Sequence, residues 1–182
     1  MKGGKFLDKK EDLELWIDTY TQRLVRLAYT YVQDWPKAED CVQDAFIKAY
    51  KSMESLENKE GPFPWLARIV INECKSSFRK SWRELISDFL PESRQESTEE
   101  LYIRNIQEEE IHNAVYNLPK HYSIPIILFY FEELSIQQIS QILNLNIGTV
   151  KSRLARGRKL LSTKIKEDGY GRKGFKVSKK LL

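Results

Sequence analysis

Apolar residues recur along most of this chain at steps of three and four positions, the spacing that places them on one face of an α-helix. In the segment 13–32 the residues that follow this spacing are Ile17, Tyr20, Leu24, Leu27 and Tyr31. The triplet Asp34-Trp35-Pro36 ends the pattern, because proline begins helices more readily than it continues them. Few stretches alternate with period two, so the sequence predicts an all-α protein.

Two further helices are predicted before the middle of the chain. The first spans about 37–53, and its apolar stripe is Ala38, Cys41, Val42, Ala45, Phe46 and Ala49. The second begins near Pro64 and ends near Trp82, with an inward face of Leu66, Ile69, Val70, Cys74 and Phe78. Three amphipathic helices of this kind are sufficient to enclose a small core.

The composition changes abruptly after residue 83. Residues 84–106 are polar and acidic, a composition that favours a flexible linker over a packed core. We therefore expect two small helical domains, residues 1–83 and 107–166, joined by this acidic linker. Residues 167–182 form a basic tail with three glycines, which we expect to be disordered.

The second domain contains the strongest local signal. Helices are expected at 106–117 and 119–133, with Pro125 kinking the latter or shortening its start. Ser135 is a predicted N-cap for a helix over 136–143, and the turn 144–146 supplies a second cap, Asn146. The helix that follows carries the apolar residues Val150, Leu154 and Leu161. Two short helices joined by a tight turn, the second one basic, describe a helix-turn-helix.

The net charge of +4 conceals a strong asymmetry. Residues 68–83 hold five Lys or Arg against one acid, and residues 146–182 hold 12 against two. Residues 84–110, in contrast, hold two against nine. Two basic segments that flank an acidic one indicate a protein that binds a polyanion.

The predicted helix-turn-helix supplies candidates for contact with duplex DNA. The first turns of a recognition helix enter the major groove, where Arg reads guanine and Ser or Thr meets bases. Lys151 is better placed for phosphates, which govern affinity rather than sequence preference. The residues predicted to face base edges are Gly148, Thr149, Ser152, Arg153 and Arg156.

A second basic face runs along the helix that begins near Pro64. Arg68, Lys75, Arg79 and Arg83 share this face, with Asn72 and Ser76 on or beside it. Aromatic residues punctuate the same segment, and basic residues interleaved with aromatic ones suit single-stranded nucleic acid. Trp65 and Phe78 are nevertheless expected to belong to the core.

No metal, cofactor or catalytic site is predicted. Cys41 and Cys74 fit small buried side chains in helices, and neither histidine has ligand spacing. Asp40 and Asp44 lie four apart and could hold Mg²⁺, which leaves a small nuclease or transferase as an alternative. The sequence lacks a glycine-rich phosphate loop or a nucleophile motif, which disfavours that alternative.

The hydropathy pattern predicts a cytoplasmic protein. The longest apolar stretch, 124–131, contains Pro125 and is far too short to span a bilayer. The basic N-terminus is followed by charged residues rather than by a secretory apolar segment.

Several motifs resemble those of extracytoplasmic-function (ECF) RNA polymerase sigma factors of the sigma-70 family. The segments Leu24-Val25-Arg26-Leu27-Ala28-Tyr29 and Ala38-Glu39-Asp40-Cys41-Val42-Gln43-Asp44 resemble the second conserved region of that family. Pro64-Trp65-Leu66-Ala67-Arg68-Ile69 is similar to its promoter-melting helix. Gly148-Thr149-Val150-Lys151-Ser152-Arg153-Leu154 resembles its C-terminal DNA-binding domain. The likeness covers about residues 14–82 and 107–162.

This resemblance implies roles for particular residues. The helix with Asp40, Gln43 and Asp44 would dock on the clamp helices of the largest polymerase subunit. The helix at 147–164 would read the minus-thirty-five promoter element as duplex. The loop 55–63 and the basic face of the helix that begins near Pro64 would capture the unpaired minus-ten element. The residues of that face are Arg68, Asn72, Lys75, Ser76, Arg79 and Lys80.

The resemblance also implies partners. They are core RNA polymerase, including the flap of its second largest subunit, promoter DNA and an anti-sigma factor, with the linker directed towards the RNA exit channel. No cofactor and no insertion into a membrane are implied. The regulon would be a stress or envelope response.

The sequence departs from the family pattern at a few positions. Ser76 stands where the family usually has Asp, and Ser123-Ile124 replaces the usual Arg-Glu pair ahead of Pro125. Phe129 replaces an arginine. The main alternative function is a free-standing helix-turn-helix regulator, although such a protein needs neither the basic stripe through Arg79 nor the polar face around Asp40.

Overall fold

The computed structural model describes residues 9–56, 61–87 and 112–167, and every regular element within these ranges is helical. The predicted all-α class is therefore confirmed. The chain divides into two compact units, Met1–Ser97 and Thr98–Leu182. The expected linker lies outside the described residues from position 88 onward, as does the expected tail beyond Glu167.

Three helices build the first unit: α1 (Lys9–Val32), α2 (Trp35–Ser52) and α3 (Pro62–Ser87), with a short 3-10 turn at Met53–Ser55 after α2. Each helix packs against the other two. Burial of apolar side chains on all three faces supplies the main stabilisation of such a bundle. The most deeply buried residues are Leu24, Leu27, Val42, Met53, Leu66, Val70 and Ile71.

The turn between α1 and α2 is defined by local interactions. Gln33 adopts a left-handed backbone conformation with φ of 56°. The carboxylate of Asp34 then accepts a hydrogen bond from the backbone N–H of Lys37 at 3.0 Å, an N-cap worth about 1 kcal/mol. The rings of Tyr29 and Trp35 stack with their centroids 4.0 Å apart. Together these contacts fix where α2 begins.

The buried stripe of α1 differs from the predicted one at its N-terminal end. Ile17 is 38% exposed, whereas its neighbour Trp16 is buried. Trp16 meets Trp65 of α3 edge-on, with ring centroids 6.2 Å apart. The large indole therefore takes the place in the core that the spacing rule assigned to Ile17.

The start of α3 is anchored on α1. Gly61 has φ of +77°, a conformation that favours glycine, and α3 begins at the next residue. Phe63 is buried, with the Tyr20 ring 5.5 Å away and the guanidinium carbon of Arg23 4.2 Å from its centroid. At its other end α3 continues to Ser87, so residues 84–87, expected in the linker, are helical.

The second unit consists of α4 (Lys120–Ile126), a π-helical segment (Ile127–Phe131), α5 (Ile136–Leu143) and α6 (Ile147–Glu167). Residues 112–116 are also helical. Both α4 and α5 pack on α6. The residues of this unit that are essentially excluded from solvent include Val115, Ile126, Leu128, Ile139, Val150 and Leu161.

The helix predicted over 119–133 proves to be two kinds of helix in succession. Pro125 does not shorten its start: α4 begins at Lys120 and holds Pro125 in its interior. The π-helical segment follows at Ile127, where the Glu132 N–H bonds back to the Ile127 carbonyl. Proline has no N–H and its ring crowds the preceding turn, yet that turn is α-helical here, and the π-helical segment begins two residues after Pro125.

Candidate nucleic-acid and protein interfaces

The joint between α5 and α6 has the geometry of a helix-turn-helix. Ser135 and Gln138 form a reciprocal capping box at the start of α5, with the Gln138 N–H bonded to Ser135 Oγ at 3.2 Å. Asn144 ends α5 in the left-handed conformation. Two residues later, Asn146 Oδ1 accepts the Thr149 N–H at 2.7 Å and caps α6. Both caps were predicted, and both are confirmed.

The two sides of α6 differ sharply. Val150, Leu154, Gly157 and Leu161 are buried and follow steps of four, three and four. The opposite side carries most of the predicted DNA contacts: Gly148, Lys151, Ser152 and Arg156 are exposed, and Thr149 and Arg153 are half-buried. Lys159 and Arg158 extend the exposed basic surface by another turn. All six predicted residues therefore lie within the first three turns of one helix.

Glycine serves different purposes at two positions of α6. A Cβ added to Gly157 would lie 2.7 Å from Ile126 Cδ1 and 3.3 Å from Tyr122 Cβ, so Gly157 permits a close crossing with α4. A Cβ added to Gly148 would meet only Asn146 Oδ1, at 3.5 Å. That distance is an ordinary van der Waals contact, so the fold itself does not require glycine at 148.

The basic face predicted on α3 is present over its described side chains. Arg68, Asn72, Lys75 and Ser76 are all exposed, and steps of three and four place them together along the helix. Arg79 and Lys80 belong to α3 as well, but their side chains lie outside the described part of the structure. Trp65 packs against Trp16, as expected of a residue that contributes to the core.

The exposed face of α2 combines charge with apolar surface. Asp40, Gln43 and Asp44 are exposed, as the sequence suggested. Ile47 is 54% exposed and Tyr50 is 45% exposed, and neither had been assigned to this face. Steps of three and four from Asp40 through Gln43 and Asp44 reach Ile47, so helical spacing alone could have located it.

Lys48, four residues after Asp44 on α2, is paired with a residue of the neighbouring helix. Its ammonium group pairs with the Glu73 carboxylate of α3, whose side chain is 13% exposed. The pair joins α2 to α3 beside the face that carries Asp44 and Ile47. Because the Lys48–Glu73 ion pair links α2 to α3 next to this face, the orientation of the face depends on how α2 packs against α3.

The described residues hold no group of three or more potential metal ligands. Cys41 of α2 and Cys74 of α3 are buried free thiols, as expected, and they contact each other across the helix interface. Burial raises the pKa of both thiols, and their mutual contact raises that of Cys74 further. In the described ranges, no helix combines the length and apolar character needed to cross a membrane.

Comparisons with known proteins agree with this architecture. Sigma-70 region 2 matches residues 16–84, and sigma-70 region 4 matches residues 108–161. The RNA polymerase sigma factor SigV of Bacillus subtilis is 32% identical over 154 residues, which cover 84% of this chain and 90% of SigV. The ECF sigma factor SigW of the same organism is 30% identical over 170 residues, covering 83% of this chain and 87% of SigW.

A solved structure has a similar fold. The sigma factor RpoE of Bartonella quintana, crystallised with the anti-sigma factor NepR, superposes with a TM-score of 0.73 at 26% identity. The match covers 86% of this chain and 98% of that one. The chain therefore belongs to the sigma-70 family of RNA polymerase sigma factors, within the ECF group, and is a promoter-specificity subunit.

Proposed function

We propose that three exposed helix faces divide the work of this sigma factor. The face of α2 docks on core RNA polymerase, the face of α3 binds the unpaired minus-ten strand, and α6 reads the minus-thirty-five element as duplex. The observation that carries this proposal is the two-sided character of α6, which is buried and apolar towards α4 and α5 and exposed and basic on the opposite side.

Recognition of duplex DNA by α6 combines two kinds of contact. Arg153 and Arg156 can each present a planar guanidinium to the O6 and N7 acceptors of guanine in the major groove. Lys151 and Lys159 neutralise phosphates, a contribution that raises affinity for all sequences and weakens with salt. The buried stripe through Val150 and Leu154 holds the helix rigidly against α4 and α5 while these contacts form.

Capture of the minus-ten strand requires α3 to offset the cost of unpairing and unstacking bases, which is a few kcal/mol per base. Asn72 and Ser76 present hydrogen-bonding groups for base edges, and Arg68 and Lys75 present charge for the backbone. Ser76 lacks the negative charge of the aspartate usual at this position, so it adds no repulsion against phosphates. Its hydroxyl can both donate and accept a hydrogen bond.

Docking on the polymerase would use α2. Ile47 is surrounded on the helix surface by Asp40, Gln43, Asp44 and Tyr50. An apolar and aromatic centre with a polar rim is the usual composition of a protein–protein contact. We assign this face to the clamp helices of the largest polymerase subunit, with Ile47 supplying apolar area and Asp40 and Asp44 supplying electrostatic steering.

Further partners follow from the same assignment. The crystallised relative RpoE is bound to an anti-sigma factor, and we propose that a protein of that class regulates this chain. The acidic linker directed towards the RNA exit channel would then consist of residues 88–106, beyond the end of α3, with residues 107–166 contacting the polymerase flap. The protein would act in the cytoplasm, together with the polymerase, on a stress or envelope regulon.

The test is transcription with purified core RNA polymerase from a Bacillus host and genomic promoter fragments. The wild-type chain should direct initiation from defined start sites. Asp44→Lys should lose polymerase binding, Asn72→Ala should bind polymerase and promoter but open it poorly, and Arg153→Ala should lose discrimination at the minus-thirty-five element. If all three variants lost the same step, the division of labour among the helices would be wrong.

A further inference from the structure

One side of α1 contacts the first turn of α3 through three side chains. Trp16, Tyr20 and Arg23 follow steps of four and three along α1, so they lie on the same side of the helix. Trp16 meets Trp65 edge-on, and the Tyr20 ring lies 5.5 Å from the ring of Phe63. The guanidinium carbon of Arg23 lies 4.2 Å from the Phe63 centroid. The start of α3 is therefore held from α1.

Arg23 is the charged member of this row. Its guanidinium carbon lies 5.6 Å from the Tyr20 centroid as well, so the group contacts two rings. The face of an aromatic ring attracts a cation, and a planar guanidinium also stacks on it. Because Phe63 is buried and Arg23 is half-buried, this attraction acts at a partly desolvated site, where it is stronger than on an open surface.

The chain enters α3 through a residue that contributes no packing of its own. Gly61 is in the left-handed conformation, and a Cβ added to it would meet nothing within 4 Å. The first buried residue of α3 is Phe63. Arg68 and Asn72 of the basic face follow Phe63 by five and nine residues on the same helix. A rotation of the first turn of α3 would therefore turn this face as well.

We propose that Arg23 is a positioning residue for capture of the minus-ten strand. Its guanidinium holds the Phe63 ring, which fixes the first turn of α3 and thereby the direction of the basic face. This inference rests on the proposed binding of the unpaired strand by that face. It gives α1 a role in promoter opening, although Arg23 itself touches no DNA.

The experiment compares the same substitution at two positions of α1. Arg23→Met keeps a long side chain with similar helix propensity but removes the cation. Arg26→Met is the matched control, because Arg26 is also half-buried and the ring contacts among the described residues do not include it. Arg23→Lys keeps a cation that can lie over the ring. Holoenzyme is assembled from each full chain and core polymerase. The measurements are core affinity, affinity for a single-stranded minus-ten oligonucleotide and the rate of promoter opening.

The expected result is a loss confined to the minus-ten steps. Arg23→Met should leave core affinity unchanged and weaken binding of the single strand about two- to fivefold, the size of one cation–π contact. Promoter opening should slow by a similar factor. Arg23→Lys should retain most of the wild-type values, and Arg26→Met should match wild type. A purely structural role would not give this pattern, because a change of this size leaves nearly all of the chain folded.

Phe63→Leu distinguishes positioning from direct contact with DNA. This variant keeps a buried apolar side chain but removes the ring, so Arg23→Met should have little further effect in its background. The salt dependence of strand binding should be the same for Arg23→Met as for wild type. An undiminished loss in the Phe63→Leu background, or a salt slope lowered by about 0.7, would mean that Arg23 contacts a phosphate and would overturn the inference.

Asn72→Ala separates this inference from the proposed function. If Asn72→Ala weakened strand binding while Arg23→Met matched Arg26→Met, Arg23 would have no positioning role, and α3 would keep its assignment. If Asn72→Ala left strand binding unchanged, the assignment of α3 to the minus-ten element would fail, and this inference with it.

Discussion

Gly157 of α6 lies so close to Ile126 of α4 that a Cβ at position 157 would come within 2.7 Å of Ile126 Cδ1. Ile126 is fully buried, so its side chain has little space into which it could move. The close crossing packs α6 directly against α4, and it makes the pair sensitive to single methyl groups.

Gly157→Ala should therefore destabilise the second domain. Overpacking costs about 1–3 kcal/mol, and the better helix propensity of alanine returns about 1 kcal/mol. The net loss should be about 1 kcal/mol, measured by hydrogen exchange of the amides in 150–161. Adding Ile126→Val removes the clashing Cδ1, so the double variant should lose less than the sum of the two single variants. Simple additivity of the two losses would show that the predicted clash is absent.

The cap of α6 allows folding to be separated from DNA binding. Asn146→Ala removes the acceptor for the Thr149 N–H and should cost about 1 kcal/mol of domain stability. Asn146→Asp keeps an acceptor, and its negative charge suits a helix N-terminus. The aspartate variant should fold normally yet bind promoter duplex more weakly, because its charge would face phosphates. Equal DNA affinity of Asn146→Asp and wild type would place the start of α6 away from the DNA.

Exposed Ile47 should be a major contributor to polymerase binding. Truncating a central apolar residue of an interface commonly costs about 1–2 kcal/mol, so Ile47→Ala should weaken core binding by about tenfold. Leu15→Ala provides the control, since Leu15 is 61% exposed on α1 rather than on the α2 face. Fluorescence titration of core polymerase distinguishes the two variants. Equal affinities for both would remove Ile47 from the interface.

Replacing Arg153 and replacing Lys151 by alanine should change promoter binding in different ways. Arg153→Ala should reduce discrimination at one base pair of the minus-thirty-five element by about 1–3 kcal/mol. Lys151→Ala should weaken binding to all sequences alike and lower the salt slope by about one. Affinities for a panel of single-base promoter variants at two salt concentrations measure both effects. A uniform loss for Arg153→Ala would assign it to phosphate instead.

The thiol pair predicts a pH dependence of stability on the alkaline side. Burial raises the pKa of Cys74 above that of a thiol in the unfolded chain, which is about 8.5. The contribution of the protonated Cys74 thiol to the free energy of unfolding is therefore complete below pH about 8.5. It is lost as the pH rises above that value, because the unfolded chain releases the proton first. Between pH 7.5 and 9.5 the first domain should lose about 1 kcal/mol more in wild type than in Cys74→Ala, as measured by urea unfolding. Identical losses would mean that Cys74 ionises as freely in the folded domain as in the unfolded chain.

Short-range signals in the sequence predicted the parts of the fold that depend on neighbouring residues. The caps at Ser135 and Asn146 and the stripe from Ala38 to Ala49 are correct because each depends on one turn of helix. The burial of Trp16 in place of Ile17 could not be predicted, because it depends on the contact of Trp16 with Trp65 of another helix. The contact between Cys41 and Cys74 depends likewise on how the helices are assembled.

The π-helical segment after Pro125 changes how this chain should be aligned with its relatives. A hydrogen bond from Glu132 back to Ile127 encloses one residue more than an α-helical turn does, which rotates everything beyond it by about 100°. Against a relative whose helix remains α-helical, an ungapped alignment would therefore equate residues that point in different directions.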